Sequence, residues 1–229
     1  MTASFSVIVP VYNEAALVTP SLARIDEFMS SLTADYEILV IESGSTDGSA
    51  ALCDAAALAR PRIRVIHEGA RAGYGSALRL GFANATRTFA WIVTLDMPFP
   101  LDAMLQALPL LDSHDCVLSF RSRDPRRLGR RLQSAAYNLL LHVLLGIRAR
   151  HVNSAFKVLR VDVVRKIPLH SAGWFIDAEL LYRLQERGVR CAEIGVPLID
   201  RAAGSSTVGA GTWLGVLRET FRFWAQVRR

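Results

Sequence analysis

Short apolar, β-branched runs alternate along the first half of the chain with longer stretches in which apolar positions return every three or four residues. The runs Phe5–Val11, Glu37–Ile41, Ile63–His67, Ala90–Leu95 and Cys116–Phe120 have the length and composition of buried strands. The stretches Ala15–Leu32, Ser49–Ala59, Gly75–Thr86 and Leu101–Leu111 carry helical periodicity. Strict alternation of the two kinds predicts an α/β fold, a mostly parallel sheet with helices on both faces.

The second half breaks this rhythm. An arginine-rich opening leads into a leucine-rich segment, Arg126–Gly146, in which Leu128, Leu132, Ala136, Leu139 and Val143 share one helical face. Such a helix can rest on anionic lipid or cover the sheet, and core packing is the expectation for its leucines. A strand-like run (155–160), a helix over Asp177–Glu186 and a strand over Arg190–Ile199 follow. After Thr212, the residues Trp213, Leu217, Phe221 and Trp224 form an aromatic stripe, with Arg218, Arg222 and Arg229 on the other side. This pattern predicts a membrane-surface helix, the alternative being a helix docked on the core or on a second subunit.

Length and charge narrow the picture. At 229 residues a single domain is expected, and 27 Lys and Arg against 21 Asp and Glu leave a formal charge of +6. A basic surplus favours anionic partners such as nucleotide or lipid phosphates. Nucleic acid is not among them, because the basic residues do not interleave with aromatics in a recognisable module. Cys53, Cys116 and Cys191 are far apart in sequence and form no zinc-type cluster, so buried, reduced thiols in a cytosolic setting are expected. The chain enters its first strand without a signal-peptide pattern. Its densest apolar run, Leu139–Ile147, is far shorter than the ~18–20 residues of a membrane span. The chain is therefore expected not to be integral, and a peripheral location at the cytoplasmic face of a membrane is the expectation.

In open α/β sheets, ligands bind beyond the carboxyl ends of the strands. Those ends here are PVYNEA, IESGSTDGS, HEGARAGYGSA and LDMPFP, and all fall on one rim. Singly, each has a bland explanation: Ser45, Thr46 and Asp47 suit a helix N-cap, and Gly73 and Gly75 suit a tight turn. A Rossmann dehydrogenase is a poor fit, since no Gly-x-Gly-x-x-Gly follows the first strand.

In order and spacing these segments resemble the nucleotide-binding half of family 2 glycosyltransferases of GT-A fold. RRLQSAAYNLLLHVLLGIRARHVNSAFKVLR, GWFIDAELLYRLQERGVRCAEIGVPLIDR and the Arg-x-x-Gly-x-Ser of Arg201, Gly204 and Ser206 resemble the dolichyl- or polyprenyl-phosphate sugar transferase branch. The resemblance implies one GT-A domain over 1–229, with a nucleotide half to about 120, an acceptor half to about 211 and a C-terminal amphipathic helix over 212–229. It implies an inverting transfer from a UDP- or GDP-linked sugar to polyprenyl phosphate. Two alternatives stay open: a related transferase with another acceptor, and a degenerate GT-A protein that binds nucleotide or a protein partner without turnover.

Residue by residue, the resemblance puts nucleotide contacts on Pro10, Tyr12, Glu14, Glu42, Ser43 and Gly73, with Glu42 where the family usually has Asp and Ser43 where it usually has a second Asp. Acceptor-phosphate contacts fall on Arg121, Arg123, Lys157, Arg201 and Ser206. Asp177, with Glu179, matches acidic family positions, and Asp177 is the candidate base for a hydroxyl acceptor. A lipid phosphate, already anionic, needs positioning rather than deprotonation. His151 replaces a usual Asp and is assigned no role.

The departure falls at the fourth strand. The family's Asp-x-Asp holds Mg²⁺ or Mn²⁺ against the donor diphosphate. Here it reads Asp96-Met97-Pro98, so Asp96 is the only motif ligand. Arginines offer the alternative counter-charge, and Asp102 is expected to open the next helix.

Overall fold

The computed structural model describes residues 3–199 and 210–228. Arg201, Gly204, Ser206 and Thr207 lie outside the described residues, as do Arg229 and the side chain of Trp213. Among the described residues, seven strands, β1 (Phe5–Val11), β2 (Tyr36–Glu42), β3 (Ile63–His67), β4 (Phe89–Ile92), β5 (Cys116–Arg123), β6 (Lys157–Arg160) and β7 (Cys191–Pro197), form one sheet in the order β3-β2-β1-β4-β6-β5-β7. Only β6 runs against its neighbours β4 and β5. Eight helices accompany the sheet among the described residues: α1 (Ala15–Leu32), α2 (Ser49–Ala59), α3 (Tyr74–Asn84), α4 (Ala103–Ala107), α5 (Leu128–Leu145), α6 (Val161–Val164), α7 (Ile176–Glu186) and α8 (Ala210–Val227).

Two apolar cores account for the uninterrupted hydrophobic runs of the inner strands, which are covered on both faces. Side chains alternate across the sheet: Phe89 and Trp91 enter one core with α1, α2 and α4, whereas Ala90 and Ile92 enter the other with α3, α5, α7 and α8. Trp91 is fully buried and packs among Phe28, Phe99 and Phe156.

Several predicted bounds shift for physical reasons. The helix expected over Leu101–Leu111 shortens to α4 and passes into a 3₁₀ turn at Leu108–Leu110, because Pro109 lacks the N–H a helix interior needs. The strand expected over Ala90–Leu95 ends at Ile92. Val93 still donates to the Ile8 carbonyl, but the chain then turns, with the Met97 N–H on the Thr94 carbonyl. Cys191 is exposed rather than buried, since it opens the edge strand β7, opposite Cys116.

The C-terminal helix packs on the core. Val216, Thr220 and Phe223 face the core, with Phe223 against Phe175 and Tyr182. Leu217 and Trp224 are half-buried at the margins of that face, and Phe221 is exposed. The helix therefore docks by a face offset from the aromatic stripe. The leucines of α5 are the reverse case. Leu128, Leu132, Leu139 and Val143 are all at least 60% exposed, while Tyr137, Leu141 and Leu145 on the opposite side are buried. Among the described residues, no helix is long and apolar enough to cross a membrane.

Candidate active site

The carboxyl ends of β1, β2 and β4 open into a cavity of about 1080 Å³. Pro10, Tyr12, Glu14, Ser43, Gly73, Asp96 and Pro98 line one side of it. Arg121, Arg126, Arg130, Ser134, Tyr137, Trp174 and Asp177 line the other. Most of the predicted site thus converges on one space. Glu42, Arg123 and Lys157 do not line it.

On the first side, the β1 and β2 ends are laced together. Asn13, at φ 52°, donates its N–H to Ser45 Oγ and accepts from the Thr46 N–H, and Asp47 accepts from the Ala15 N–H. The Ser-Thr-Asp run is therefore structural, and it fixes Tyr12 and Glu14 at the rim. The Arg71 guanidinium lies 4.3 Å above the Tyr12 ring and also lines the cavity, bringing a cation to this side that sequence reasoning missed. Its position two residues before Gly73 was the available signal.

Glu42 is corrected from a ligand-facing carboxylate to a buried brace. It is 2% exposed, accepts the Ser45 N–H at 2.5 Å, and meets His67 Nδ1 at 2.9 Å. Burial works to raise its pKa, but the hydrogen bonds from His67 and Ser45 outweigh it and hold the carboxyl below its usual value. His67 is raised in turn, first by Glu42 and then by Asp54 at 3.1 Å. A raised histidine stabilises the fold fully below its unfolded value of about 6.5, and that contribution is lost as pH rises through the folded value. The melting-temperature deficit of His67→Gln is thus expected to be larger at pH 6 than at pH 8.5. The ring is half-exposed, so solvent limits the effect to about 1 kcal/mol or less.

Gly73 and Gly75 owe their place to packing. Cβ atoms there would lie 2.4 and 2.5 Å from the carbonyl oxygens of Ala172 and Ser171, and Gly73 sits at φ +103°. The Gly75 and Ser76 N–H groups both point at the Ala172 carbonyl, so the start of α3 is fastened to the 170–174 loop. Tyr74 and Trp174 stack at 4.8 Å across this joint and face the cavity. Glu179 is a clamp for the same loop, accepting the His170 and Ser171 N–H groups, and it is 1% exposed.

On the second side, Arg121 is held from two walls. Its guanidinium donates to Ser134 Oγ on α5 at 3.2 Å and to the Asn153 carbonyl at 3.1 Å. Burial, together with nearby Arg126, pushes its pKa down to about 10, so it stays charged at neutral pH. His151 Nδ1 accepts the Arg121 backbone N–H, so the neutral ring carries its proton on Nε2, and burial followed by Arg121 lowers its pKa. Arg126 forms a two-pronged pair with Asp124, at 2.8 and 2.6 Å, which draws the Asp124 carboxyl down to about 2. Arg126 and Arg130 join the cavity in place of exposed Arg123. The Asp-Pro-Arg-Arg turn that aims them inward is not encoded in charge spacing alone.

Lys157 is the largest correction. It is 2% exposed, with its ammonium on the Ser154 carbonyl and 3.0 Å from Asp177. It braces Asp177 from behind instead of offering a surface cation. Burial raises the Asp177 pKa and Lys157 opposes that rise.

Asp96 stands at the rim with Thr94 Oγ1 donating to it at 2.6 Å. Met97 beside it adopts φ 36°, rare for a residue with a side chain. The Pro98 carbonyl is engaged by the Ile199 N–H at 2.9 Å, so position 98 has neither a carboxylate nor an unoccupied role in the turn. Asp102 is exposed and borders a separate hollow with Arg24 and Glu27. Among the described residues, no three His, Cys, Asp or Glu side chains are grouped to hold a metal ion. This donor set does not fit a protein-held divalent ion of the two-carboxylate kind.

A profile described as "Glycosyl transferase family 2" matches residues 6–167. The chain belongs to glycosyl transferase family 2. Among its relatives, undecaprenyl-phosphate mannosyltransferase of Micrococcus luteus is 24% identical over 218 residues, covering 89% of this chain and 87% of that protein. Polyprenol monophosphomannose synthase of Mycolicibacterium smegmatis is 28% identical over 218 residues, covering 87% and 79%. The fold is shared with glucosyl-3-phosphoglycerate synthase of Mycobacterium tuberculosis in complex with phosphoglyceric acid, at TM-score 0.74 and 22% identity over 96% of this chain and 79% of that one. Other structures of that synthase contain Mn²⁺ or Mg²⁺ together with UDP. This family 2 member is a glycosyltransferase, and its cavity lies where sheet topology predicts a ligand.

Proposed function

We propose that this glycosyltransferase moves a sugar from a UDP- or GDP-linked donor to a polyprenyl phosphate at a membrane surface, with inversion at the anomeric carbon. The observation that carries the reading is the two-faced character of α5. One face lines the cavity with Arg130, Ser134 and Tyr137, and Ser134 holds Arg121. The other presents Leu128, Leu132, Leu139 and Val143 to solvent. From Pro125 to Val161 the chain has no Asp or Glu, while Arg126, Arg127, Arg130, Arg131, Arg148 and Arg150 flank the apolar stripe. An apolar stripe edged by cations suits an anionic lipid surface, and it stands beside the cavity arginines that a lipid phosphate would reach. The relatives named undecaprenyl-phosphate mannosyltransferase and polyprenol monophosphomannose synthase support the same acceptor class.

In this reaction an acceptor phosphate oxygen attacks the anomeric carbon as the bond to the donor diphosphate breaks on the opposite face. The phosphate enters as an anion, so positioning by Arg121, Arg126 and Arg130 replaces proton abstraction. Charge growing on the departing diphosphate meets Arg71 on the donor side. Asp177, held at the cavity wall by Lys157, is placed to accept hydrogen bonds from sugar hydroxyls, and it would be the base if the acceptor were itself a hydroxyl.

The test is transfer of labelled sugar from UDP- and GDP-sugars into an organic-extractable product, with polyprenyl phosphate in anionic vesicles. Label that reaches product only when polyprenyl phosphate is present supports the reading. Donor consumption with some other acceptor, or none at all, refutes it. With a single motif carboxylate, EDTA is expected to weaken donor binding only modestly. A gain of about a hundredfold with Mn²⁺, near 2.7 kcal/mol, would overturn that expectation.

A further inference from the structure

Ser43 stands where the family resemblance leads one to expect a second carboxylate, and its neighbour Glu42 is fully committed to Ser45 and His67. Of the two, only Ser43 lines the cavity. Its Oγ lies 2.5 Å from Oε2 of Glu68, the residue that follows β3. Glu68 is fixed from two further directions. Its N–H donates to the Glu42 carbonyl at 2.8 Å, and its Oε1 accepts from Ser76 Oγ at 2.7 Å in the first turn of α3.

A hydroxyl has one proton to give. With that proton committed to Glu68, Ser43 can turn only lone pairs toward the cavity, polarised by the carboxylate behind it. The wall at Ser43 is thereby an obligatory hydrogen-bond acceptor, although the residue type alone is neutral between donor and acceptor. We infer that Glu68 is a positioning residue that sets the base preference of the donor subsite, orienting Ser43 to receive a ring N–H. Uracil and guanine offer such an N–H on the edge where cytosine and adenine offer a bare ring nitrogen, so the donor nucleotide is of the first class. The carboxylate missing from the end of β2 is in effect supplied from the end of β3, one atom further from the ligand. This inference rests on the nucleotide-sugar reading of the cavity, and it adds to it the residue that would enforce the uracil-or-guanine donor of that reading.

The reason to expect a sizeable effect is the asymmetry of polar recognition. A site whose buried acceptor meets another acceptor leaves both unpaired, and sites built to bond one partner discriminate strongly against analogues that lack it. Deleting the Glu68 carboxylate frees the Ser43 proton, so the same wall can donate as well as accept.

The experiment compares UDP, GDP, CDP and ADP binding by calorimetry on the intact protein. Four proteins are used: wild type, Glu68→Ala, Ser43→Asp, and the double variant Ser43→Asp with Glu68→Ser. Wild type is expected to prefer UDP or GDP over CDP and ADP by about a hundredfold, and Glu68→Ala to reduce that preference at least tenfold. In turnover, Glu68→Ala should raise KM for the donor with little change in kcat. Ser43→Asp alone brings two carboxylates into contact and should bind every nucleotide poorly. The double variant moves the charge to the other strand end and should restore the preference, an outcome that loss of folding in a single variant cannot imitate.

An unchanged base preference in Glu68→Ala overturns the inference and leaves the nucleotide-sugar reading standing. Failure of the double variant to recover does the same, whereas a preference of wild type for CDP or ADP overturns both the inference and the UDP- or GDP-linked donor of the proposed function. If wild type binds none of the four nucleotides, the inference and the reading beneath it both fall.

Discussion

Replacing Lys157 by Met is expected to destabilise the protein by about 3–5 kcal/mol, because it strands the Asp177 carboxylate in a space where it is 5% exposed. At roughly 2–4 °C per kcal/mol for a chain of this size, the melting temperature should fall by about 6–20 °C. The cost belongs to the unpaired charge rather than to the pair. A double variant, Lys157→Met with Asp177→Leu, should therefore recover most of the loss while abolishing whatever Asp177 contributes to turnover. The pH dependence has a definite sign. Without Lys157 nothing opposes the upward pull of burial on Asp177, so its folded pKa stands above the unfolded value and protonation favours the folded state. The deficit of Lys157→Met against wild type should shrink as pH falls from 7.5 toward 5, as followed by thermal unfolding. A deficit that is constant with pH, or a double variant no more stable than the single one, would show that Lys157 acts through packing alone.

The fate of Lys157 illustrates what was legible in the sequence. Periodicity identifies β1, α1, α2 and β3 to the residue, because the inner strand β1, covered on both faces, is an uninterrupted apolar run, the edge strand β3 is a short β-branched run, and the helices between them repeat at 3.6. Motif order then places Tyr12, Ser43, Asp96 and Arg121 on one rim, since chain topology brings strand ends together whatever their side chains do. What a sequence does not carry is the direction in which a charged side chain points. Lys157 turns inward to buried Asp177, Glu42 turns to the half-exposed His67 ring, and Glu179 clamps a loop while Asp177, two residues earlier on the same helix, reaches the cavity. In sequence, Arg126 and Arg130 belong to one undifferentiated arginine-rich run, and the turn at Asp124 gives them their direction. The leucines of α5 were expected in the core because aliphatic side chains usually are, and their exposure is the observation that periodicity alone could not supply.

Arg121→Ala is expected to weaken acceptor use far more than donor binding. The guanidinium is anchored by Ser134 from α5 and by Asn153 from the loop before β6, so its place is set before any ligand arrives. Preorganisation of this kind means little ordering is needed at the moment of binding, and charge-assisted contacts are worth about 1.5–3 kcal/mol each. Acceptor kcat/KM should therefore drop by about 10- to 150-fold, with the donor dissociation constant within about threefold of wild type. Arg121→Lys is a sharper control: it keeps the charge but cannot bridge Ser134 and Asn153 with a planar fork, so it should recover only part of the loss. Truncation also removes a cation beside Arg126 and bares the Ser134 hydroxyl, so the variants should be matched by melting temperature before their kinetics are compared. Steady-state rates at varied polyprenyl phosphate, set beside calorimetric donor binding on the same preparations, separate the two sides of the cavity. Equal losses for donor and acceptor would mean that Arg121 holds the cavity open rather than the phosphate, and no loss on either side would leave Arg126 and Arg130 as the acceptor's cations.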